Sequence, residues 1–92
     1  MKLVTQRAVD MALRTMSDAE RKKVLGWFDQ LKNWRNDPKV RKNSFKLEAF
    51  EDLYMLKTRG ELRIFFRLGA DEVTIIDLAS RSTILAAGGK SE

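Results

Sequence analysis

The clearest pattern in the chain is a strict alternation. In Glu61-Leu62-Arg63-Ile64-Phe65-Phe66-Arg67-Leu68, one side takes Leu62, Ile64, Phe66 and Leu68, and the other takes Arg63, Phe65 and Arg67. A period of two marks a strand with one buried face. The second face of this strand carries two guanidinium groups. Around it, the stretch from Asp52 to Arg81 reads as strand, turn, strand, turn, strand. Thr58-Arg59-Gly60-Glu61 suits a hairpin with Arg59-Gly60 at its tip. A two-residue loop pairs Lys57 with Leu62, Leu56 with Arg63 and Tyr54 with Phe65. Cross-strand partners share a face. That register puts Tyr54, Leu56, Arg63, Phe65 and Arg67 on an open face, and Leu53, Met55, Leu62, Ile64 and Phe66 under the helices. A one-residue change in the loop exchanges the faces of the earlier strand and brings Lys57 beside Arg63. Gly69-Ala70-Asp71-Glu72 makes a second turn, and Val73 to Ala79 is apolar on both sides, as in a central strand.

The first half has helical spacing. Lys2 to Thr5 fits a short first strand. From Gln6 to Met16, the residues Val9, Ala12, Leu13 and Met16 form one stripe of an amphipathic helix. Ser17-Asp18-Ala19-Glu20 has the form of a capping box, which starts a second helix. Its stripe is Val24, Trp27, Phe28, Leu31 and Trp34, and Asn36-Asp37-Pro38 stops it near Arg35. Lys39 to Glu51 reads as an exposed loop, and 86–92 as a frayed tail. The expectation is one α+β domain over 1–92. A helical hairpin packs on one face of a twisted antiparallel sheet of about four strands.

Composition narrows the chemistry. The chain has 92 residues and contains neither cysteine nor histidine. That removes disulfides, thiolate nucleophiles, the usual general base and the commonest metal ligand. No cofactor or metal is expected. No apolar run reaches the length of a membrane span and no signal peptide is visible, so a cytoplasmic protein is expected. The net charge of +5 is uneven: residues 1 to 50 hold 12 Lys or Arg against 6 Asp or Glu. A basic surface captures polyanions such as nucleic acid or an acidic protein segment.

The order of these features resembles the RelE/ParE superfamily of toxins from type II toxin–antitoxin pairs. A basic helical hairpin is followed by Lys46-Leu47, then Asp52-Leu53-Tyr54-Met55-Leu56-Lys57, then Gly60-Glu61-Leu62-Arg63-Ile64-Phe65-Phe66-Arg67, and an apolar strand closing on Ser80-Arg81. The resemblance implies a ribosome-dependent endoribonuclease that cuts messenger RNA without metal and is held in check by an acidic antitoxin. Arg63 matches the family's arginine on its third strand, and Arg81 the arginine just past the last strand. The family's lysines fall at Tyr54 and Leu56 without a gap, or near Lys57 with one. Its C-terminal tyrosine has no counterpart, since that region is Ala86-Ala87. ParE-like members share the fold and poison DNA gyrase instead, and a non-catalytic nucleic-acid-binding module is a further alternative.

Metal-free RNA cleavage turns the neighbouring 2′-hydroxyl on the phosphate. It needs a base, an acid and cations for the transition-state charge. The candidates are Arg63 and Arg81 for charge, with Lys57 and Tyr54 for proton transfer or positioning. Arg21, Lys22, Lys23, Lys42, Lys46 and Arg67 are candidates for touching RNA or the ribosome. Each has a plainer reading too. Arg63 and Arg67 solvate a sheet face, Tyr54 is a cross-strand packing partner, and Arg81 pairs with Asp77. Lys57 lies on a solvated rim, and the lysine run merely faces water.

Overall fold

The computed structural model of the protein describes residues 1–48 and 52–82. Strand β1 (Lys2–Thr5) runs directly into α1 (Arg7–Thr15), and α2 (Asp18–Lys32) follows after two residues. The expected capping box is formed: Ser17 Oγ accepts from the Glu20 backbone amide, and Glu20 Oε1 accepts from the Ser17 amide. Arg21 seals the joint between the helices. Its Nε donates to the Leu13 carbonyl, which also accepts from the Met16 amide, and its Nη2 donates to the Met16 carbonyl just past the end of α1.

The helix ends earlier than the apolar stripe suggested. α2 stops at Lys32, and Trp34–Asn36 forms a 3₁₀ turn. The segment read as a loop contains a short helix, α3 (Pro38–Lys42), and a strand, β2 (Ser44–Lys46). The reason is local. Asp37 Oδ1 accepts from the amides of Lys39 and Val40, and Pro38 occupies the first helical position. Proline there stops one helix and starts another, because its missing N–H would have been unpaired anyway.

The sheet has five strands in the order β1-β5-β4-β3-β2, with β3 (Leu53–Lys57), β4 (Leu62–Leu68) and β5 (Glu72–Ser80). It is mixed, because β1 lies parallel to β5 while the other pairs are antiparallel. The expected α+β layering of helices on one sheet holds, with one strand more than expected and one parallel pair. β5 is central between β1 and β4, as its two-sided apolar character predicts. A bulge opposite Phe65 helps explain that character. Phe65 pairs with Asp77 and Phe66 with Ile75, so Ile76 is an extra residue and the alternation resets after it.

The β3–β4 register differs from the expected one by one residue. Lys57 pairs with Arg63, Leu56 with Ile64, Met55 with Phe65 and Tyr54 with Phe66. The loop is longer than two residues because Thr58 closes it from the side: its Oγ1 donates to the Leu62 carbonyl at 2.7 Å. The faces of β3 are therefore exchanged. Tyr54 and Leu56 lie beneath the helices with Ile64 and Phe66, while Leu53, Met55 and Lys57 share the open face with Arg67, Phe65 and Arg63.

The core lies between the helices and this inner face. Val9, Val24, Phe28, Leu31 and Val40 pack on Leu56, Ile64, Phe66, Val73 and Ile75. Burying each large apolar side chain contributes roughly 1.5–3 kcal/mol before entropy is counted. Tyr54 joins this layer, stacked on Phe66 with ring centroids 5.6 Å apart and met edge-on by Trp34 at 5.8 Å. Trp34 Nε1 donates to Ser44 Oγ, which donates to the Val40 carbonyl, tying α3 to β2. No described helix is long and apolar enough to cross a membrane. Replacing Thr58 with Val keeps the shape and removes the hydroxyl, and should cost about 1 kcal/mol in chemical denaturation.

Candidate functional site

The open sheet face is ordered in rows that follow from the register. One row is Lys57, Arg63 and Ala79. The next, about 7 Å along the strands, is Phe45, Met55, Phe65 and Asp77. A third is Leu53, Arg67, Thr74 and Val4. Cations therefore stand on both sides of a row that is apolar from Phe45 to Phe65 and ends in the Asp77 carboxylate, with Phe45 48% exposed at its outer edge.

Arg63 is the least exposed of these cations, at 4%. Its Nη1 donates to the carbonyls of Gly60 and Leu62 at 2.9 Å, and more distantly to that of Thr58 at 3.5 Å. The guanidinium thus lies along the inside of its own hairpin turn. It is not held out as a free anion clamp, which was its expected role. Lys57, directly across from it, is exposed.

Arg81 follows the last residue of β5 and is exposed. Its backbone amide donates to the Glu61 carbonyl at 2.6 Å, which fixes it at the same end of the sheet as the turn. Arg81 forms no ion pair with Asp77. Among the described residues the ion pairs are Arg21–Asp18 and Lys32–Asp29, and the Asp77 carboxylate accepts from the Leu78 amide. The register therefore brings Lys57, Arg63 and Arg81 to one end of the sheet. Tyr54 is not among them, because it belongs to the aromatic stack under the helices.

Of the remaining basic candidates, Arg21 is held by the fold and the others are exposed. Arg21 is half-buried and held by carbonyls of α1 and by Asp18. Lys22 and Lys23 are exposed on α2, and Lys42 at the end of α3. Lys46 is exposed on edge strand β2, opposite Tyr54. Arg67 is exposed on the open face between Leu53 and Thr74. Two residues were missed by sequence reasoning: Arg59, exposed in the turn, and Phe45, whose face only the β2–β3 pairing defines. The expected tail at 86–92 lies outside the described residues.

No protein-family model matches the chain, and no curated protein matches it by sequence. Its fold does have clear relatives among solved structures. The RelB–RelE antitoxin–toxin complex from Methanococcus jannaschii aligns with a TM-score of 0.68 at 13% identity, covering 89% of this chain and 94% of that one. The RelE–RelB complex from Pyrococcus horikoshii aligns with a TM-score of 0.67 at 22% identity, covering 87% and 93%. The isolated RelE toxin from E. coli aligns with a TM-score of 0.61 at 21% identity, covering 97% and 95%. The α+β architecture is thus the RelE-like fold, over nearly the whole length of both partners in each comparison.

The contrast between the two arginines of β4 can be measured. Arg63→Met leaves three turn carbonyls without their charged donor and should cost roughly 1.5–3 kcal/mol. Arg67→Ala, on an exposed position, should stay within about 0.5 kcal/mol. Equal melting temperatures for the two variants would contradict the turn-holding role of Arg63.

Proposed function

We propose that this chain is the toxin of a toxin–antitoxin pair and cuts messenger RNA on the ribosome, without metal, at the turn end of the open sheet face. The observation that carries the reading is the Lys57–Arg63 pairing with Arg81 pinned beside it, in a fold shared with RelE toxins. In this reading Lys57 and Arg81 supply charge to the phosphate as the 2′-hydroxyl attacks and the 5′-oxygen leaves. Arg63 holds the turn that positions them. The ribosome and message supply orientation; with no histidine in the chain, water takes the proton of the 2′-hydroxyl and returns one to the leaving 5′-oxygen. The exposed Arg67 adds a phosphate contact on this face, Lys42 and Lys46 meet ribosomal phosphates from the helix side, and the site of action is the cytoplasm. Two of the structures above are complexes of RelE with RelB, which supports a cognate antitoxin for this chain. An acidic one suits its charge of +5.

The burial of Arg63 also favours a second reading, a toxin of the same fold that cuts no RNA and acts on DNA gyrase. Mapping message ends in a purified translation system separates the two. The nuclease reading expects new 5′ ends within codons. Lys57→Ala and Arg81→Ala should each lower the cutting rate about 10²–10³-fold, with folding intact. Tyr54→Phe should cut as the parent does, since its ring is packed under the helices. Intact messages at growth-arresting doses, together with double-strand DNA breaks, would replace the nuclease by the gyrase reading.

A further inference from the structure

Asp77 stands exposed on β5, between rows of cations, and forms an ion pair with none of them. Lys57 and Arg63 lie in the row on the turn side, and Arg67 in the row on the other. The Asp77 carboxylate is nevertheless held: its Oδ1 accepts from the Leu78 amide at 2.8 Å. That bond sets the direction of the group and leaves lone pairs on both oxygens, since a carboxylate has about four acceptor sites. Directly across the strands is Phe65, half-buried, and the row runs on through Met55 to the exposed Phe45. The face thus sets a fixed carboxylate at the end of an aromatic floor, with cations on either side.

Cross-strand neighbours on one face have Cβ atoms about 4.5–5.5 Å apart. A flat ring lying on Phe65 therefore meets the Asp77 carboxylate at its rim. Aromatic rings flanked by cations suit unpaired nucleic acid, whose bases stack on the rings while its phosphates reach the charges. Lys57 and Arg81 stand at one end of the row and Arg67 at the other, all exposed. A protein surface suits the row less well. An apolar one would bury Asp77 without a donor, an acidic one would oppose it, and a basic one would oppose the flanking cations. The carboxylate then selects among bases. An unpaired base shows its Watson–Crick edge. Guanine presents two adjacent donors there, N1–H and the N2 amino group, and the two carboxylate oxygens accept both. Adenine and cytosine each set one donor beside a ring acceptor. Uracil sets N3–H between two carbonyls. Each of these three turns a lone pair toward the carboxylate.

We infer that Phe65 and Asp77 form a base-reading subsite: Phe65 stacks one unpaired base of single-stranded RNA, and the Asp77 carboxylate selects guanine there. The inference rests on the RNA substrate of the reading above, not on its cleavage.

The test is fluorescence anisotropy with labelled oligouridines of about seven nucleotides, the central base varied among G, A, C and U. All carry 2′-O-methyl groups, so none can be cut, and all are measured at physiological salt. The guanine oligomer should bind about fivefold or more tightly than the other three. Asp77→Asn keeps the shape but offers one acceptor and one donor. The preference should then pass from guanine to adenine or cytosine, a change that loss of a merely structural carboxylate would not produce. Phe65→Leu keeps the row apolar and should weaken the guanine oligomer about fivefold or more. Equal binding of the four oligomers would leave RNA held by charge alone, overturning the subsite and sparing the RNA reading. A guanine preference unchanged in Asp77→Asn would also overturn it. No binding by any oligomer, with message cutting intact in the translation system, would give the row to a protein partner and overturn the inference alone. Neither binding nor cutting would overturn both.

Discussion

The guanidinium of Arg63 and the hydroxyl of Thr58 close the turn between β3 and β4, and much of the functional geometry depends on that closure. Together they engage the carbonyls of Thr58, Gly60 and Leu62. A tight two-residue hairpin would have needed no such help. The longer turn leaves carbonyls pointing inward, and a planar group with several donors can satisfy more than one of them. Once the loop has this length, the register is fixed, because a strand shifted by one residue shows its other face. Lys57 then stands beside Arg63 on the open side, and Tyr54 falls into the aromatic layer with Trp34 and Phe66.

The same turn borders two surfaces. Through Glu61, whose carbonyl accepts from the Arg81 amide, it fixes the end of β5 at the basic end of the sheet. Through Thr58, Arg59, Gly60, Glu61 and Leu62 it forms one wall of a groove along α2.

Much of the fold was legible in the sequence, because its signals are local. The capping box at Ser17, the stripe of Val24, Phe28 and Leu31, and the alternation from Leu62 to Leu68 each sit within one or two turns or a single strand. What was not legible depends on contacts between distant segments or on a residue with two meanings. Parallel pairing of β1 with β5 joins residues about 70 positions apart, and nothing in Lys2–Thr5 names its partner. Pro38 was read only as an end, whereas Asp37 makes it a beginning. The site suffered most from the turn. Alternation assigned Arg63 to the open face correctly, yet could not show that its side chain curls back onto its own loop. Tyr54 changed sides for want of one residue in the count, although the alternative register had the right faces.

The division between arginine and lysine explains why counting positive charge misleads here. Arg21 holds the end of α1, Arg35 reaches the carbonyls of Gly69 and Ala70, Arg41 those of Trp34 and Arg35, and Arg63 those of its turn. In each case the rigid fork bridges carbonyls at a helix end or a loop, a task for which an ammonium on a flexible stem is less suited. Lys22, Lys23, Lys42, Lys46 and Lys57 remain exposed. The sequence shows a basic first half; the fold ties part of that charge up as structural fastening and leaves mostly lysine, with Arg7, Arg14, Arg59, Arg67 and Arg81, to meet a partner. A point charge on a mobile stem attracts an anion without fixing its orientation. In the proposed reading, precision at a phosphate comes from the exposed arginines, above all Arg81, whose backbone is fixed to the turn, and from the rows of the sheet beneath.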